Sequence, residues 1–279
     1  MDQKKLTAGK LFAELGRALC YLLLFLLCQT LISVVYALTI SLYAMLNPGL
    51  SLDLMELIFA CTDQISLISG LATLIILAAF FLLRRKNPLR ETGFHTTHGR
   101  FVFTAIAVTP LLYAVVSFVL GLLPEAWMED YAEAAASLNQ KGVLIIVATV
   151  LVAPLVEEII FRGLILSRMT RVIPGWLAVL LSALLFGVCH GQAVWMAYAF
   201  VLGVIFGFFA LRAKSIWPSF CAHILFNGIG QIAVYLPETE EVGFLFLGVL
   251  VAASAVLCAA AALYSHFRPL HPHKTDALS

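Results

Sequence analysis

Charge is scarce in this chain. Only 12% of its 279 residues are Asp, Glu, Lys or Arg, against about 25% in an ordinary soluble domain. The formal net charge is +1, and Lys and Arg gather only beside apolar stretches, so no nucleic-acid partner is expected. Cysteine is sparse as well. Cys20, Cys28, Cys61, Cys189, Cys221 and Cys258 contain no Cys-x-x-Cys pair and lie in or beside apolar segments, which reads as small apolar packing residues and says nothing of redox compartment. No internal repeat, low-complexity tract or stretch with the composition of a soluble domain interrupts the chain. The apolar runs do not alternate with polar residues, which excludes a β-barrel.

Hydrophobic residues make up 62% of the sequence, in runs of about twenty residues or more, the length needed to cross a bilayer core of about 30 Å. Backbone groups in lipid must be satisfied within their own segment, so each run is expected to be a helix. The expected fold class is all-α: a polytopic membrane protein, a bundle of about eight transmembrane helices. The spans read as 18–46, 57–83, 101–123, 142–167, 174–190, 193–211, 216–236 and 243–265. They divide into helices 1–3 over residues 1–141, a core of helices 4–7 over 142–236, and a last helix and tail over 237–279. Leu123–Lys141 is the longest acidic loop, with room for a short surface helix. The basic stretch before the first span resembles that of a signal peptide, but the run behind it is too long and lacks a small-x-small cleavage site, so a retained first helix is expected. Basic and acidic loops alternate from end to end. Lys and Arg favour the cytoplasmic side, so both termini are expected there. Gly203 and Gly207 form a small-x-x-x-small pair suited to close helix packing. Trp127, Trp176, Trp195 and Trp217 fall near the expected interfaces.

The informative residues are polar ones inside apolar helices. Ala153–Gly163 reads Ala-Pro-Leu-Val-Glu-Glu-Ile-Ile-Phe-Arg-Gly. A lipid-facing ionised side chain near the membrane centre costs roughly 2.5–3.5 kcal/mol, so Glu157, Glu158 and Arg162 must face an interior or a wet cavity. Glu158 and Arg162 are four apart and share a face, whereas Glu157 points about 100° away. Pro154 can kink the helix and free a carbonyl. Two further i,i+4 pairs follow, Phe186 with His190 and His223 with Asn227. Together these side chains supply a carboxylate base, imidazoles to orient or bind, and an amide for an oxyanion, an inventory for activating water. Each pair has a structural alternative: a buried ion pair, an interfacial histidine at a helix end, an interhelical hydrogen bond. At 1.5 Å per residue, Glu157 and His223 fall near mid-membrane and His190 toward the outer end of its span.

The order Glu-Glu-x-x-x-Arg, Phe-x-x-x-His, His-x-x-x-Asn resembles the CPBP family of intramembrane proteases, which includes the CAAX prenyl protease 2 type (Rce1-like), bacterial Abi proteins and lysostaphin resistance protein A-like proteins. The resemblance covers roughly residues 142–236. It implies Glu157 as general base, Glu158 assisting it or held by Arg162, His190 and His223 completing a water or metal site, Asn227 stabilising the oxyanion and Phe186 packing the site. Two histidines and one glutamate (Glu157, His190, His223) can ligate zinc with an open position; a metal-free reading, in which Glu and His activate water directly, fits the sequence equally. No Gly-x-Ser-Gly, Gly-x-Gly-Asp or His-Glu-x-x-His sequence is present, so the other intramembrane protease chemistries are not expected. The implied function is an intramembrane endopeptidase acting on a peptide or membrane-protein substrate in the lipid bilayer of a bacterial plasma membrane. The alternatives are a proton-coupled transporter or a non-catalytic immunity or scaffold protein of the same fold.

Overall fold

A computed structural model describes residues 8–47, 61–136, 141–237 and 239–267. Among them ten helices form and no strand does: α1 (Ala8–Leu46), α2 (Thr62–Leu83), α3 (Pro88–Glu91), α4 (Gly99–Leu120), α5 (Glu125–Ala136), α6 (Val143–Met169), α7 (Gly175–Val188), α8 (Ala193–Ala213), α9 (Trp217–Ala233) and α10 (Glu240–Phe267). The chain is an all-α polytopic membrane protein. Every expected span has a helix, with the first starting ten residues early at Ala8; residues 57–60 of the second lie outside the described residues. The acidic loop forms the short α5.

The count of eight crossings is not confirmed. Six of the described helices, α1, α2, α4, α6, α8 and α10, are long and apolar enough to cross a membrane. α7 has 14 residues and rises about 21 Å, short of the roughly 30 Å apolar layer. α9 has 17 residues and carries the polar His223 and Asn227.

α6 occupies the centre, against α1, α2, α7 and α9, while α4 packs on α9 and α10. Its turns are irregular. Pro154 offers no N–H to the preceding turn, and π-helical turns run on either side, Val147–Val152 and Glu158–Leu166. Such wide turns appear mostly as single insertions and often at functional sites. All nine residues of Glu158–Leu166 are buried. α7 and α8 form a tight hairpin, as the small-residue pair predicted: a Cβ on Gly203 would sit 3.0 Å from that of Ala183, and one on Gly207 3.0 Å from Val179. The reversal uses Gly191 at φ +74°, and Gln192 caps α8 by accepting from the Trp195 N–H at 2.8 Å. Of the six cysteines, Cys28 is buried and Cys189 packs against the core, in the role expected of them, while Cys20 is exposed.

Candidate active site

Two layers make up the site. The inner layer is Glu158 and Arg162, both buried. Arg162 Nη1 stands 3.0 Å from Glu158 Oε1. Its Nη2 donates to the Gly203 carbonyl at 3.4 Å, and the guanidinium lies over the Phe186 ring, 4.4 Å from its centroid. The close approach that Gly203 allows therefore also delivers a carbonyl to the arginine.

His223 on α9 joins this layer to the next. Its Nδ1 is 3.0 Å from Glu158 Oε1. The carboxylate paired with Arg162 can only accept, so Nδ1 carries the proton and donates. Its Nε2 faces Glu157 Oε2 at 3.6 Å.

The outer layer lines a cavity of about 270 Å³ whose walls include Glu157, His190, His223, Asn227, Thr149 and Trp195. His190 lies just beyond α7, and its Nδ1 is 2.9 Å from the Phe186 carbonyl. A carbonyl only accepts, so this nitrogen donates, and in the neutral ring Nε2 is left as the basic nitrogen. The hydrogen bond also satisfies a carbonyl at a helix end. The shortness of α7 explains how a residue expected near the outer surface reaches the same cavity as Glu157. Asn227 Nδ2 donates to the Thr149 carbonyl at 2.8 Å. Thr149 lies five residues before Pro154, so the amide occupies a carbonyl beside the break that the proline makes; its second N–H is not used in that bond. Phe186 packs between the layers, its ring 4.8 Å from that of His190 and 6.0 Å from that of His223. A second cavity, between α1, α6 and α7, shares Glu157, Phe186, His190 and Trp195 with the first and adds Phe25 and Gln29 from α1.

All six expected site residues thus lie in one neighbourhood, with Glu157, His190, His223 and Asn227 on the cavity and Glu158 and Arg162 behind it. The three-ligand metal site does not assemble. Among the described residues no three His, Cys, Asp or Glu side chains are grouped to hold one ion, and both nitrogens of His223 already face carboxylates. Trp195 also reaches the cavity, its ring 5.4 Å from that of His190. Tyr131 of α5 and Tyr198 of α8, hydroxyls 3.4 Å apart, line the cavity too. Nothing in their sequence context marks them, because they reach it through the packing of α5 and α8.

Residues 139–229, from just before α6 to within α9, match the family described as Type II CAAX prenyl endopeptidase Rce1-like. The motif-bearing segment is thus similar to that family. A similar protein of Bacillus subtilis (strain 168), named "Putative membrane peptidase YdiL", is 27% identical over 169 residues, covering 58% of this chain and 68% of that protein. No solved structure matches the chain. The Rce1-like segment holds all three motifs, while Ser66, Tyr113 and Tyr131 on the first cavity and Phe25 and Gln29 on the second come from helices outside it.

Proposed function

We propose that the chain is an intramembrane endopeptidase in which Glu157 activates a water molecule. One observation carries this reading: His223 lies between a buried, ion-paired glutamate and a second glutamate that borders an open cavity. The ion pair fixes the imidazole, and the imidazole in turn orients Glu157. In the proposed reaction Glu157 takes a proton from water as the oxygen attacks the peptide carbonyl carbon. The free amide N–H of Asn227 donates to the developing oxyanion. The proton then passes, through Glu157 or the His190 ring, to the leaving nitrogen as the C–N bond breaks. The likeness of residues 139–229 to Rce1-like endopeptidases supports this chemistry, as does the name of the Bacillus subtilis relative. The two cavities that meet at Glu157 offer a path for a peptide on either side of its scissile bond. The proposed setting is a bacterial plasma membrane with both termini cytoplasmic, from the alternation of basic and acidic loops.

The test is the purified full chain with a peptide library in detergent or vesicles. Glu157→Gln is expected to lower cleavage by about 10²–10⁴-fold while the protein still inserts and folds. Cleavage is expected to persist in the presence of a chelator. Full activity of Glu157→Gln, or pH-driven uptake of a solute without any cleavage, would overturn the reading.

A further inference from the structure

Charged side chains outside the candidate site converge at one further point. Glu14, in the early turns of α1, is buried, and three guanidiniums surround its carboxylate. Arg17 Nη1 is 2.6 Å from Oε1, Arg168 Nη1 3.4 Å from Oε2 and Arg171 Nη1 3.9 Å from Oε1. Among the described residues, three cations against one anion leave two positive charges unmatched within one small cluster. Arg168, at the foot of α6, is largely buried and ties that helix to α1. The Arg17 and Arg171 side chains are 53% and 51% exposed, so both keep outward-facing donors beyond those spent on Glu14.

The position says what kind of anion fits. Arg17 is the last charged residue before the apolar run of α1 begins at Ala18, so the cluster lies where the helix enters the apolar layer. Beyond Arg17, Leu23, Leu27 and Leu31 stand open at four-residue spacing along α1, each 54% exposed, beside Leu24 and Cys28, which turn inward. Guanidinium forks match phosphate oxygens in pairs, and an exposed apolar strip running down from them suits acyl chains. We propose that Arg17 and Arg171, steadied by the Glu14–Arg168 pair, form a headgroup site for the phosphodiester of an anionic phospholipid. The bound lipid would relieve the repulsion among the three arginines and brace α1 against the foot of α6. This site is independent of the peptidase reading.

The test uses the delipidated full chain in detergent, with native mass spectrometry and thermal unfolding read against phosphatidylglycerol, phosphatidylcholine and inorganic phosphate. Phosphatidylglycerol is expected to be retained and to raise the unfolding temperature; phosphatidylcholine and inorganic phosphate are expected to do neither at the same concentration. An arginine beside an anionic lipid surface contributes about fivefold to binding, so the double variant Arg17→Gln/Arg171→Gln is expected to lose about 25-fold in phosphatidylglycerol affinity. Arg84→Gln/Arg85→Gln removes the same charge at the end of α2 and is expected to change affinity less than twofold. Each single variant serves if the double one does not fold. Equal losses in the two double variants would mean diffuse attraction to a basic face and would overturn the site. So would equal retention of the two lipids, or equal stabilisation by inorganic phosphate.

Discussion

α6 and α10 are alike as sequences and opposite as structures. Both spans run 27 residues and the most apolar 18-residue stretch of each has a mean hydropathy of 2.5, yet 44% of that stretch in α6 is buried in the protein and only 11% of that in α10. Hydropathy measures whether a segment tolerates lipid; it does not say whether lipid is its neighbour. What separates the two helices is polar content. α6 carries Glu157, Glu158 and Arg162, which lipid would reject, and the bundle is arranged so that α1, α2, α7 and α9 surround it. α10 presents one polar anchor to α4, the Ser254 hydroxyl donating to the Ala107 carbonyl at 2.6 Å, and leaves Val256 69% exposed.

The comparison breaks first where α6 keeps its charges. Glu158→Leu removes the anion facing both Arg162 and His223 and strands a buried guanidinium. Breaking a buried pair from one side costs about 3–5 kcal/mol, so this variant is expected to show the largest loss in unfolding free energy, measured by denaturant or heat in detergent, and to lose cleavage with it. The double variant Glu158→Leu/Arg162→Met removes both charges and is expected to recover much of the stability but none of the activity. Equal instability in the single and double variants would mean that packing volume, not charge, holds α6 at the centre.

The sequence makes α6 legible because its charged residues break a strong rule. Glu157, Glu158, Arg162, His190, His223 and Asn227 are visible as polar residues in apolar runs, and their spacing shows which share a face. Their contacts across helices are not visible. That His223 stands between the two glutamates depends on how α9 packs on α6, which no local pattern encodes. A hydropathy run does not reveal that α7 stops at 14 residues, so it does not show that His190 shares a cavity with Glu157. Nor does the place of Trp195 near a span end show that the capped turn at Gln192 brings it beside His190. Tyr131 and Tyr198 gave no signal at all: an aromatic residue lining a cavity has the same sequence context as one facing lipid.

Smaller substitutions sharpen the contrast. Gly207→Val would put a branched side chain against Val179, which already lies 3.0 Å from where a Cβ would stand. Overpacking of this kind costs about 1–3 kcal/mol, and by pushing α8 off α7 it is expected to disturb the nearby Gly203 carbonyl and hence Arg162. Reduced cleavage together with reduced stability is the expected outcome. A stability loss with full activity would show that the hairpin does not position the site.

On α10 the effects shrink to the limit of measurement. Ser254→Ala deletes an interhelical hydrogen bond, and such bonds in membrane bundles average about 0.6 kcal/mol because the unfolded helices find other partners in the bilayer. Val256→Ala, on the exposed side, removes two methyl groups from a position with few protein neighbours. Lipid tails are as apolar as valine, so no burial is lost, and the change is expected to stay within about 0.5 kcal/mol with cleavage unaltered. A larger loss at Val256 would mean that this face is covered in the membrane by another helix, from a second copy or a partner, and the division between a central α6 and a lipid-facing α10 would then hold only for the isolated chain.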